Sequence, residues 1–241
     1  MVSRKVIFVA VFLPFCWNQS IINSQVKKPK SQLICVLEVR VKPAGIDAFE
    51  NAVRELIGQF KESEFPRSFV GDITDDYSYY FSSPIESYAE IDILFRDLDE
   101  IQNKMDAEKR QDLQVLFKDA YESIRSGVIL KRPDLSYVPD NSRLSIMEAR
   151  YMRMNAFYIL AGREGEFENI CKASAELWRR KRVPEPFNVY VGQMGTETPV
   201  YFLSLTGKDP ADLWSHVGRI WTPNGSESQD LRKKILPLIR K

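Results

Sequence analysis

Glu38 and Arg40 set a carboxylate and a guanidinium on alternate positions of a segment that reads as a strand, so the two share one face. Such a pair can orient a polar ligand. It can equally serve only itself, because charges taken out of water need partners on desolvation grounds alone. Tyrosines supply the second candidate chemistry: Tyr77, Tyr79, Tyr80 and Phe81 fall together, as do Tyr190, Tyr201 and Phe202, with Tyr158 in a third segment. Their hydroxyls can donate to an aromatic or polyphenolic ligand, although aromatic residues also populate strands for packing. The expected ligand-binding set is Glu38, Arg40, Tyr79, Tyr158 and Tyr190. Catalytic residues are not assigned, since the chain has no Gly-rich phosphate loop, nucleophile elbow or Cys-x-x-Cys. His216, the single histidine, suits either an axial haem ligand or an ordinary half-buried helix position beside Leu213 and Val217. A structural zinc site would need about four Cys, His or carboxylate ligands together. No such cluster is legible, and neither a metal nor an organic cofactor is expected.

Composition narrows the partners. The 241 residues are 44% hydrophobic and 28% charged, ordinary for a globular chain. Arg4 and Lys5 precede the apolar run Val6 to Phe15, too short for a bilayer that needs about 20 residues. The pattern matches a secretory signal cleaved between Ser20 and Gln25. Residues 1–24 are therefore expected to be a signal peptide and the protein to be exported, periplasmic or extracellular, with no integral membrane segment after cleavage. Leu13-Pro14-Phe15-Cys16 is close to a lipoprotein box, but Phe15 is too bulky for the residue before a lipidated cysteine. The signal contains two of the 34 basic residues, so 32 remain against 33 acidic ones. That balance excludes a nucleic-acid binder resting on basic excess. Lys27 to Lys30 reads as a solvated linker, and Asn224-Gly225-Ser226 as a turn unless a host glycosylates it. Cys35 and Cys171 could pair in an exported protein, but they fall on a strand and a helix position and are expected as buried free thiols.

The elements that must position these residues occur twice. Ala48-Phe49-Glu50-Asn51 recurs as Glu166-Phe167-Glu168-Asn169, and Gln111-Asp112-Leu113 as Gln229-Asp230-Leu231, both at an offset of 118. A solenoid repeats at roughly 20 to 50 residues, so each copy should be a small domain, 31–142 and 143–241. In the first, Leu33, Cys35, Leu37, Val39 and Val41 form one apolar face of a strand. Pro43-Ala44-Gly45 breaks it, and Asp47 with Glu50 resembles a capping box for a helix over 46–62 that buries Phe49, Val53, Leu56, Ile57 and Phe60. Strands near 67–74 and 77–82 should form a hairpin through Asp75-Asp76, a helical region should span 94–125, and a last strand should lie at 128–130 or 135–138. The second copy predicts strands at 147–160, 187–194 and 199–205, and helices at 163–180, 210–221 and 227–240. Counterparts of residues 124–140 do not follow. A truncated second copy is expected, since an open sheet edge is a liability.

This β-α-β-β-α-β order, with both helices on one face of an antiparallel sheet, is ferredoxin-like. Two such modules in tandem, each with an aromatic hairpin and a long second helical region, resemble the dimeric α/β-barrel superfamily. The resemblance covers about residues 31–241 and rests on element order and duplication. It implies an α+β fold in which two tandem ferredoxin-like modules pair their sheets face to face into one intramolecular α/β barrel, as a monomer or homodimer. Ile34, Val36, Glu38 and Arg40 would then point inward, with Ala156 and Tyr158 at the positions matching Glu38 and Arg40. Superfamily members include cofactor-independent monooxygenases, haem-using enzymes and ligand-binding proteins. The expected function is an exported protein binding a small hydrophobic or aromatic ligand; the alternatives are a monooxygenase-like or haem-using enzyme, and an interaction module without a ligand site.

Overall fold

In a computed structural model that describes residues 30–221 and 225–240, with side chains except at 217–221 and 225–226, the first alternating segment forms β1 (Gln32–Val41). The expected signal peptide, the Cys16 box and Asn224 lie outside the described residues. Two compact units are present, one over 33–127 and one from 128 onward.

The first unit continues with α1 (Ile46–Glu62), β2 (Val70–Ile73), β3 (Ser78–Ile85), α2 (Glu90–Lys104), α3 (Ala107–Phe117) and β4 (Tyr121–Lys131). Its strands are ordered β2-β3-β1-β4, with β3 antiparallel to both β2 and β1. Val39 and Val41 of β1 are buried with Ile46 and Phe49 of α1, and Leu37, Tyr79 and Phe81 pack against them. The odd-numbered face of β1 therefore meets the helices, as its apolar pattern requires.

Several expected boundaries change. Helix α1 keeps its expected bounds, preceded by a single 3-10 turn over 43–45, but no side chain caps it. Glu50 does not close a capping box; it accepts a hydrogen bond from the Tyr79 hydroxyl at 2.8 Å. The helical region expected over 94–125 is two helices separated at Met105–Asp106. It ends at Phe117 because Asp119 takes a left-handed backbone, φ 61°, that turns the chain into β4. Residues 121–125 are strand, not helix.

The second unit takes the end of β4 and adds β5 (Tyr151–Tyr158), α4 (Glu164–Arg180), β6 (Phe187–Gly192), β7 (Val200–Gly207), α5 (Pro210–Trp221) and α6 (Gly225–Ile235). Strand order is β4-β6-β7-β5, antiparallel throughout. Phe167, Trp178, Phe187, Tyr201, Leu205 and Leu213 anchor its core. The strand expected from Met147 begins only at Tyr151, because residues 145–149 are closed into turns by bonds from Glu148 and Ala149 to the Ser145 carbonyl.

Within the second unit the end of β4 pairs with β6, Ile129 opposite Gly192 and Lys131 opposite Tyr190. A strand after α6 would be needed to continue past β5. There the described chain offers a 3-10 turn at Leu236–Leu238 and one bridge from Ile239 to Ile159. Among the described residues no helix is long and apolar enough to cross a membrane.

Candidate functional site

Directly paired residues of antiparallel strands point to the same side of a sheet. Asp72 of β2 lies opposite Tyr80 of β3, and Tyr80 lies opposite Glu38 of β1. Tyr79 packs tilted against Phe49 of α1 with ring centroids 4.8 Å apart, so its neighbour Tyr80 faces away from the helices. The three residues form a polar row on the helix-free face. Arg125 of β4 extends it by donating to Glu38 Oε1 at 2.7 Å. One step along β1, Arg40 reaches Asp76 Oδ2 at 3.3 Å in the β2–β3 turn.

Glu38 and Arg40 thus do share a face, but they do not satisfy each other; each has its own partner. That accounting leaves two groups open. Neither the Asp72 carboxylate nor the Tyr80 hydroxyl makes a hydrogen bond or ion pair among the described residues. Burial alone raises the Asp72 pKa. The Tyr80 phenol is also raised, first by burial and then by the charges of Glu38 and Asp76. Asp76 moves the other way, chiefly because the Thr74 hydroxyl donates to it.

The other expected site residues separate by face and by unit. Tyr79 is on the helix side, packed against the first unit's core and donating to the half-buried Glu50. Tyr158 and Tyr190 belong to the second unit: Tyr158 lies opposite Val200 and carries the Arg240 guanidinium 5.6 Å from its ring centre, and Tyr190 lies opposite Phe202. Their neighbours Phe157 and Val191 pack into the helix-side core, so both tyrosines face away from it. Asp72, Tyr80 and Arg125 were not expected. Alternation around Glu38 tells which residues share its face on β1, but only the β1–β3 register tells that Tyr80 rather than Tyr79 stands beside it.

On the helix side the two units share one arrangement. Phe167 packs tilted against Tyr201 at 4.8 Å and the Tyr201 hydroxyl donates to Glu168 at 3.0 Å, matching Phe49, Tyr79 and Glu50. The Phe-Glu pair of the recurring segment therefore forms a structural pin in each unit. Arg132 grips Glu168 with both terminal nitrogens, at 2.8 and 3.1 Å. Cys171, one turn along α4, is a buried free thiol pushed up to about 12 by burial and then by Glu168. Cys35 is likewise buried and free.

His216 is tied locally: its Nδ1 lies 2.8 Å from the Asp212 carbonyl and 3.0 Å from the Ser215 hydroxyl. Asp212 accepts two bonds from Arg143, at 2.9 and 2.8 Å, and Arg143 also reaches the buried Glu185 at 3.1 Å. Two hollows in the second unit, beside Arg143 and Glu185 and between Trp178 and Leu231, hold about 10 and 20 Å³. Organic ligands fill roughly 300 Å³ or more, so these take at most a water molecule. On the polar row Asp72 and Tyr80 stand side by side without a bonding partner among the described residues, and the buried Ser83 Oγ and Arg110 Nε are also unbonded there.

Fold and row together define an α+β protein with antiparallel strands whose helix-free surface carries polar and aromatic groups. No protein-family model matches the chain, and no curated protein does. Among solved structures, a putative monooxygenase from Fusobacterium nucleatum subsp. nucleatum is similar at 13% identity and TM-score 0.53, covering 87% of this chain and 88% of that one. An anthrone oxidase-like protein is similar at 12% identity and TM-score 0.52, covering 87% of each. Both likenesses are of fold.

Proposed function

We propose that this chain is an exported enzyme that uses dioxygen to oxidise a small aromatic substrate carrying a phenol or an enolisable ketone. It works without a resident metal or organic cofactor, on the helix-free face of its first unit. The observation that carries the reading is the row Asp72, Tyr80, Glu38 and Arg125, in which two polar groups stand open while the charges beside them are already paired. Oxidation of this kind needs a proton acceptor and fixed hydrogen-bond donors at one place. The row supplies carboxylates, a phenol and a guanidinium. Fold likeness to proteins described as anthrone oxidase-like and as a putative monooxygenase supports the same class. The basic-then-apolar start of the chain supports export.

The shared Phe-Tyr-Glu pin supports reading the two units as ferredoxin-like copies of one ancestor. In that reading the first copy carries the charged row, because Ala156 and Tyr158 stand in the second where Glu38 and Arg40 stand in the first.

The test is dioxygen uptake by the purified protein supplied with anthrone and with simple polyphenols. Uptake should exceed the uncatalysed rate and fall at least about tenfold in Glu38→Gln and Tyr80→Phe. Uptake no faster than in buffer sinks the enzyme reading. A rise in melting temperature with the same compounds, without uptake, would identify a binding protein instead.

A further inference from the structure

We infer that Asp72 is the base that takes the substrate's carbon-bound proton and that the Tyr80 hydroxyl holds the oxyanion so formed. This assignment of roles rests on the oxidation reading. It follows from which members of the row are already engaged. Glu38 is bound by Arg125 at 2.7 Å and Asp76 by Arg40 at 3.3 Å, so both carboxylates have their charge answered. Asp72 has no such partner, and the cross-strand neighbour on its own face is a hydroxyl that donates to nothing among the described residues. A proton acceptor and a hydrogen-bond donor, side by side on one sheet face and both unspent, match an acid whose proton leaves one atom while charge collects on another. That describes a carbon acid next to a carbonyl, such as anthrone.

The methylene C–H bond breaks, its proton goes to the Asp72 carboxylate, and its electron pair delocalises onto the carbonyl oxygen, which accepts the Tyr80 O–H bond. Dioxygen, the co-reactant, then oxidises the carbanion: a C–O bond forms at the former methylene, the peroxide anion takes the proton back from Asp72, and the hydroperoxide loses water, leaving a quinone. Carbon is oxidised and both oxygen atoms are reduced, one in water and one in the new carbonyl. The two pKa directions fit these roles. Burial leaves Asp72 a stronger base than an exposed aspartate, and the phenol of Tyr80 stays protonated beside Glu38 and Asp76.

Proton abstraction can be isolated from oxidation by following deuterium exchange into the anthrone methylene in deuterated buffer without oxygen. The full chain is compared with Asp72→Asn, Asp72→Glu and Tyr80→Phe, each checked for a retained melting transition. Asp72→Asn should slow enzyme-dependent exchange about 100-fold or more, and Asp72→Glu should restore part of it. The wild-type rate should rise with pH through one ionisation that Asp72→Asn removes. The other titratable or charged groups around the row, Glu38, Arg40, Asp76, Tyr80 and Arg125, are common to both proteins. Wild-type exchange rates in folded Asp72→Asn overturn the inference even if oxygen uptake persists, which leaves the enzyme reading standing. Exchange that depends on Asp72 without oxygen uptake supports the base and rejects the oxidase. Neither exchange nor uptake by wild type rejects both.

Discussion

A carboxyl group that burial makes reluctant to ionise costs its fold stability once the pH forces a charge on it, and Asp72 is such a group. Its pKa is raised in the folded chain, so below the ordinary aspartate range both states are protonated and nothing is lost. As pH climbs through the folded value, the native state carries an unpaired, half-buried charge that the unfolded chain solvates freely. Asp72→Asn should therefore raise the melting temperature at pH 7, by an amount that shrinks to nothing near pH 3. Thermal melts of both proteins at the two pH values check this; a variant less stable at pH 7 would mean that Asp72 has a partner. Stabilisation together with lost exchange would be the mark of a group kept for chemistry. The row was only partly legible in the chain. Glu38 and Arg40 were found because alternation is local. Neither Tyr80 over Tyr79 nor Asp72 is legible in the chain, because cross-strand register depends on the hairpin and not on either strand alone. Arg125 was missed because its segment reads as helix.

Two glycines, one just before α1 and one inside it, have surroundings that predict opposite outcomes. A methyl group on Gly45, just before the helix, would stand 2.5 Å from the Ala120 carbonyl oxygen and 2.7 Å from its Cα. The same carbonyl accepts the Lys42 N–H at 2.9 Å, so backbone on both sides is already committed. Gly45→Ala should cost about 1–3 kcal/mol, the range for overpacking. Gly58, inside the helix, has nothing within 4 Å of such a methyl, and Gly58→Ala should add roughly 0.5–1 kcal/mol by restricting the unfolded chain. Urea unfolding of the two variants decides both signs. The close approach at Gly45 also shows what the chain could not announce. Pro43-Ala44-Gly45 is visible as a break, and the helix after it follows from its apolar period. That the break lies against the residue where β4 is about to begin depends on Asp119 turning left-handed, and neither its composition nor its neighbours mark it. Helices with a strong apolar stripe, α1 and α4, were placed within two residues of their ends. The start of β4 was missed because Glu122, Ile124 and Arg125 are exposed and show no alternation.

Taken over the chain, near-neutral composition leaves little net self-repulsion at pH 7, and the acid limb of stability falls to individual carboxylates. Asp76, Asp134 and Asp212 are all held below the ordinary aspartate value by hydrogen bonds, with Asp212 lowest at about 2. For Asp212 the main cause is the two-pronged bond from Arg143, followed by the Lys208 backbone N–H at 2.9 Å. A carboxylate with a depressed folded pKa contributes stability that is fully present above its unfolded pKa of 3.8 and is lost as pH falls toward about 2. Replacing it with a group that cannot titrate removes the contribution at every pH. Asp212→Asn should therefore lower stability by about 2 kcal/mol at pH 7, the scale of a charged hydrogen bond, and the gap to wild type should close as both are titrated from pH 4 to pH 2. Arg143→Met should cost more at neutral pH, because it strands both Asp212 and the buried Glu185, and Glu185 is 5% exposed. Urea midpoints from pH 7 to pH 2 for the three proteins test the account. Parallel curves that never converge would show that the Arg143 network holds its unit by packing and not by charge.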